Sequence, residues 1–230
     1  MSRFFRYILP LIAILFLNHG CGRTKRSSET MEGHLIKYQV NYLEDMAGDI
    51  PTKLLPDVME AYYTNRYVMT RIHGFFGQFT LSQLADLSHN SVTTLLNFFG
   101  NKIYCTGEKG ELPAGISEIR EYSVLITNDT LRIGGFLSRK AVITSGEVAY
   151  DIFFIEDIDI KNPNITTPYY FIDYVLSDFR VQLSILKMRL IMVHHEYTSF
   201  KSSYFEIPED YKQVSKETME TIINNLFTKE

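Results

Sequence analysis

His194, His195 and Glu196 form the chain's densest run of side chains able to ligate a metal or pass a proton. In an extended segment successive side chains alternate between faces. His194 and Glu196 would then share one side and His195 the other, so no more than two of the three can meet at one site. No H-x-x-x-H or C-x-x-C spacing supplies a third ligand. The trio reads as polar residues near the end of a strand, and neither a metal nor a cofactor is expected. Gly134-Gly135 lacks the Lys-Ser/Thr pair and following helix of a phosphate loop and reads as a turn or bulge. No serine sits in G-x-S-x-G, and Cys105, at the end of an apolar run, reads as a small buried hydrophobe rather than a nucleophile. No catalytic residue is assigned, and no enzyme is expected.

Cys21 has a more telling setting. Arg3 and Arg6 precede an apolar run over residues 7–17, interrupted by Pro10. That run is shorter than the roughly 20 residues a membrane-spanning helix needs, so residues 1–20 read as an export signal. The sequence Leu17-Asn18-His19-Gly20-Cys21 places a small residue before a cysteine and resembles a bacterial lipoprotein processing site. Asn18 stands where that pattern has a large aliphatic residue, with Leu17 one place further back. The alternative is an ordinary cleaved signal with Cys21 incidental. A lipidated, N-acylated Cys21 would carry three chains, each worth about 0.8 kcal/mol per buried CH₂, an essentially permanent anchor. It would also leave Cys105 without a partner; the rival is a Cys21–Cys105 disulfide.

Polar residues dominate 22–32, so 21–32 read as a lipid-anchored flexible tether and 33–230 as one folded domain. Removing residues 1–20 takes away two arginines and no acid, which moves the net charge from −4 to −6. That balance argues against a nucleic-acid partner.

Elements able to position a site are mostly strands. Residues 34–43, 58–63, 67–73, 78–86, 92–105, 123–126, 135–144, 148–158, 181–185 and 187–200 are rich in Val, Ile, Tyr and Phe and are separated by short turn signals, the pattern of antiparallel hairpins. A helix is expected over 215–227, where Met219, Ile222, Ile223, Leu226 and Phe227 share a face, and a short one within 165–179. The fold class is mainly β with some α.

Leu55-Pro56 with Met59 and Tyr62-Tyr63, then residues 92–102 (VTTLLNFFGNK), 133–143 (IGGFLSRKAVI), Asn162-Pro163-Asn164, and 205–215 (FEIPEDYKQVS) occur in an order that resembles envelope lipoproteins of the Bacteroidota. Those look like the LolA/LolB superfamily, and the resemblance covers residue 33 to the end. It implies a curved antiparallel sheet forming an unclosed half-barrel with a few short helices as a lid and a C-terminal helix. It implies a non-catalytic binding protein facing the periplasm, with a lipid or hydrophobic small molecule in an apolar cavity. Alternation gives the candidate lining: Leu137, Ala141 and Ile143 in one row, Tyr150, Ile152 and Phe154 in another, Leu190 and Met192 in a third. The competing expectation is a structural or sensor module docking an envelope protein partner, its interior filled by its own aromatics. The family's cargo-holding arginine and exposed leucine loop match no position here, so lipoprotein transfer is not carried over. Two N-x-[ST] sequons, at Asn128 and Asn164, have no bearing on a bacterial lipoprotein.

Overall fold

A computed structural model describes residues 29–48 and 50–227, so the expected export signal, Cys21 and most of the tether lie outside the described residues. The strands are β1 (Thr30–Tyr42), β2 (Met46–Ala47), β3 (Ile50–Pro51), β4 (Val58–Thr64), β5 (Tyr67–Gly74), β6 (Phe79–Asp86), β7 (Ser91–Phe98), β8 (Asn101–Thr106), β9 (Tyr122–Ile133), β10 (Phe136–Ser145), β11 (Val148–Ile155), β12 (Val175–Leu183), β13 (Leu186–Lys201) and β14 (Lys212–Gln213). Helix α1 (Lys216–Asn225) follows β14.

Twelve of these strands make one curved, unclosed sheet in the order β14-β8-β7-β6-β5-β4-β1-β13-β12-β11-β10-β9. Two meanders, β4 to β8 and β9 to β13, are joined side by side through β1, which pairs antiparallel with both β4 and β13. Among the described strands only β14 runs parallel to its neighbour, β8. The short hairpins arise where period-two apolar alternation stops at turn-forming residues, as at Asn65-Arg66 between β4 and β5.

On the inner face Ile36, Tyr38 and Val40 of β1 meet Met59, Ala61 and Tyr63 of β4 and Met188, Leu190 and Met192 of β13 in one apolar cluster. A second cluster lies on the opposite face, where Tyr62, Met69, Leu84 and Leu95 are covered by Phe200 and Phe205. The chain after β13 crosses this outer face, pairs as β14 along the edge of β8, and turns inward as α1. Ser215 caps the helix by accepting the Thr218 N–H at 3.1 Å, and Met219 and Ile223 bury themselves in the inner cluster. Gly115 (φ +82°) allows the contact: a Cβ there would lie 3.0 Å from Leu183 and 3.1 Å from Ile223.

Several expectations need correction. β1 starts at Thr30, inside the segment read as tether, because Thr30 and Met31 find ladder partners in Lys201 and Phe200 of the long β13. No helix forms within 165–179. That stretch is turns up to β12, which begins at Val175, six residues before the expected start. Pro168 removes a backbone donor there, and the buried Asn164 amide ties the turns together by donating to the carbonyls of Ile172 (2.6 Å) and Tyr174 (2.9 Å). β9 extends to Ile133, well past the expected 123–126. Among the described residues α1 is the only α-helix, and the irregular segments 107–121 and 156–174 do most of the covering of the inner face.

Candidate ligand cavity

The inner face is not filled to the end of the sheet where β1, β5, β7 and β12 finish. A cavity of about 220 Å³ remains there. Ile72, Phe79, Leu81 and Phe98 line it from β5, β6 and β7; Leu183, Leu186 and Met188 from β12 and β13; Tyr42, Ile50, Leu55 and Pro56 from the β1–β4 connection; Leu226 and Phe227 from the end of α1. The Tyr42 hydroxyl donates to the Pro56 carbonyl at 2.7 Å, and burial, with Asp57 nearby, raises its pKa, so the phenol stays neutral. A space so lined attracts apolar matter and repels charge.

Deeper in, a void of about 30 Å³ shares Ile72, Leu81, Leu183 and Met188 with the cavity. Its remaining walls include Thr70 and Gln83, opposite each other on β5 and β6, and Thr166 and Thr167 from the segment above. Thr70 donates to Gln83 Oε1 at 3.0 Å and Thr167 to the Asn164 carbonyl at 2.9 Å. The Thr166 hydroxyl, fully buried, has no hydrogen-bond partner among the described residues.

Around the cavity mouth the hairpin tips are apolar. Leu43, Met46, Leu54, Phe76, Phe99 and Ile185 are all exposed, Phe76 completely. Phe76 (φ +55°) and Phe99 (φ +48°) occupy the left-handed region, each followed by a glycine at φ +84°. Bulky residues rarely accept that backbone, where Asn or Gly would sit without strain. The two tips adjoin, the Phe99 N–H donating to the Gln78 carbonyl at 2.8 Å. At the opposite end of the sheet the β4–β5 and β6–β7 turns carry Asn65, Arg66, Ser88, His89 and Asn90 instead.

The candidate lining residues occupy the other meander. Ala141, Ile143, Ile152, Phe154, Leu190 and Met192 are buried in the packed part of the inner cluster, and Tyr150 is half-buried against it. Leu190 alone reaches one of these two spaces, the small void. Leu137 is 54 % exposed and does not share a face with Ala141. Ser138 and Ala141 are both buried although three residues apart, so the alternation breaks there, and the ladder to β9 shifts register, Thr130 to Ile126 of β9 lying opposite Arg139 to Ala141 of β10.

His194 and Glu196 share a face at 3.7 Å, whereas His195 lies on the other and meets His34 across the strands, Nε2 to Nδ1, at 2.9 Å. Burial, reinforced by the neighbouring imidazoles, lowers the pKa of both His34 and His195. Among the described residues no group of three or more His, Cys, Asp or Glu side chains converges as a metal site. Burial raises the pKa of the Cys105 thiol and keeps it protonated.

The cavity mouth does carry a repeated sequence signal that the alternation pattern passes over: Phe-Phe-Gly occurs at 75–77 and again at 98–100, at the two adjoining tips. Compared with models of protein families and with curated proteins, the chain matches none.

Proposed function

We propose that this chain is an exported lipoprotein of the cell envelope, anchored through Cys21 and facing the periplasm, that binds a lipid or other hydrophobic ligand in a half-barrel without catalysing a reaction on it. The resemblance to the LolA/LolB superfamily belongs to the same proposal. The observation that carries it is the cavity of about 220 Å³ with its almost entirely apolar lining. A void of that size is costly to leave empty and is filled most readily by apolar matter. The exposed tips support it, since aromatic side chains held in strained backbone around a greasy opening suit contact with a lipid surface. Native mass spectrometry after gentle extraction tests the reading: a co-purified lipid is expected, together with binding of an environment-sensitive dye. Loss of both signals would reject it. Metabolic labelling with a fatty acid should mark the wild type and not Cys21→Ala.

One observation favours the second reading, a module that docks an envelope protein. Among the described residues β9 is an unpaired edge, and it exposes Val124, Leu125, Ile126 and Leu131. Long apolar edges are templates for strand addition. Cross-linking from β9 to another envelope protein, with no ligand found in the cavity, would select this reading.

A further inference from the structure

We infer that the ligand is a single-chain amphiphile that enters head first, its neutral oxygen-bearing head hydrogen-bonded by Thr166 and Gln83 at the floor of the cavity and its chain running back to the mouth. This rests on the cavity reading and narrows it to a ligand class.

A cavity made only for hydrocarbon needs no polar floor. Here Thr70 and Gln83 form a polar rung across β5 and β6 where the strands otherwise present apolar side chains inward, and Thr166 faces the same small void. Thr70 spends its proton on Gln83 Oε1, which leaves the Gln83 amide N–H groups as donors, and the buried Thr166 hydroxyl is unpartnered among the described residues. An unsatisfied hydroxyl in such a place is a cost that a bound acceptor removes.

Size and charge fix the kind of head. The void is about 30 Å³, room for a water-sized group, so a single oxygen suits it better than a phosphate. Arg71 also lines it but commits its guanidinium elsewhere, Nε donating to Ser82 at 3.2 Å and the group lying 5.9 Å from the Tyr62 ring and 5.8 Å from the Tyr204 ring. Among the described residues no other basic side chain lines the void, so a hydroxyl or carbonyl oxygen suits the floor better than a carboxylate. At roughly 30 Å³ per water-sized group, the cavity of about 220 Å³ takes about seven methylene-sized groups, which is one medium chain.

The probes are 1-octanol and n-nonane, equal in heavy atoms, titrated by displacement of a fluorescent dye from the full-length protein. Comparing each probe between wild type and Thr166→Val cancels the probes' own hydration. Octanol should bind about tenfold more weakly to Thr166→Val, the value of one hydrogen bond, and nonane should be unchanged within about twofold. Thr166→Ser should restore octanol binding, and Gln83→Leu should repeat the selective loss from the opposite wall. Equal effects on both probes, or none on either, would overturn the head-first arrangement while leaving the cavity reading intact. If neither probe binds the wild type, both fall together.

Discussion

Replacing Ile72 with phenylalanine separates a ligand site from a packing flaw. Ile72 lines both the cavity and the void behind it, so a larger side chain there grows into empty space. Cavities left by large-to-small core substitutions cost about 24 cal/mol per Å³. Applied to 220 Å³, that rate gives an upper figure of about 5 kcal/mol, as large as the whole stability of a marginal domain. If the added ring takes up about a quarter of the space, ligand-free Ile72→Phe gains about 1.3 kcal/mol, or roughly 3–5 °C in Tm. The same ring must lie where the chain of a ligand would run, so dye or octanol affinity should fall at least tenfold. Urea denaturation of delipidated protein gives the first quantity, and dye titration the second. A variant that loses stability yet binds as well as wild type would refute the reasoning, because the cavity would then be neither open to a ring nor the place of binding.

Exchanging Phe76 and Phe99 together for asparagine should leave Tm unchanged or slightly higher, since asparagine tolerates the left-handed backbone, and should lower association with neutral phosphatidylcholine vesicles in a flotation assay. Gly33→Ala should destabilise by about 1–3 kcal/mol, measured by urea denaturation, because its Cβ would lie 2.0 Å from the Tyr63 carbonyl oxygen, in the ladder that joins the two meanders. The His34–His195 pair makes stability fall with acid. Both folded pKa values lie below the ordinary 6.5, so below that pH the unfolded chain takes up protons that the folded one resists. This contribution is present above pH 6.5 and is lost as pH drops through the folded values. Tm should decline as pH falls below about 6.5, and His195→Gln, which keeps a hydrogen-bonding group but cannot titrate, should flatten that decline.

The hairpins are legible in the sequence because two local signals agree: alternation of period two, and turn residues such as Asn65-Arg66 at its ends. β12 is half hidden because residues 165–174 mix aromatic, β-branched and proline residues, and the Asn164 side chain, not a backbone ladder, organises them. Counting in twos through Arg139 and Lys140 assigns Leu137 to the inner face, and a bulge defeats such counting without leaving a mark in composition. The cavity itself has no contiguous signature, since its walls come from β5, β6, β7, β12, β13, the β1–β4 connection and α1. Its tips do leave one. Two Phe-Phe-Gly triplets at hairpin turns are an odd choice where Asn-Gly would form the turn freely, and that oddity can be read from the sequence alone.

Whether such an interior holds cargo or only itself is decided by volume along its length. Against the β9–β13 half, the rings of Tyr38 and Tyr169 both meet Phe179 edge to face, at 5.5 and 6.1 Å, and Phe154 stacks on Tyr174 at 5.3 Å, with the Tyr38 hydroxyl donating to the Leu176 carbonyl at 2.9 Å and that of Tyr169 to the Arg180 carbonyl at 2.6 Å. Close-packed aromatic rings, two of them held by their hydroxyls, do not move aside cheaply, so that half is its own filling. What stays open is the short length between Thr166 and the Phe tips. Room for about seven methylene-sized groups excludes the several acyl chains of a lipoprotein and admits one. A longer single chain would have to protrude past Phe99, so affinity should rise with chain length up to about eight carbons and then level off, the extra methylenes gaining only what the exposed tips or a lipid surface give them. A series of 1-alkanols from hexanol to dodecanol measures this directly. A steady gain of about 0.8 kcal/mol per methylene through dodecanol would mean that the packed half yields, and that the aromatic filling is a lid rather than a wall.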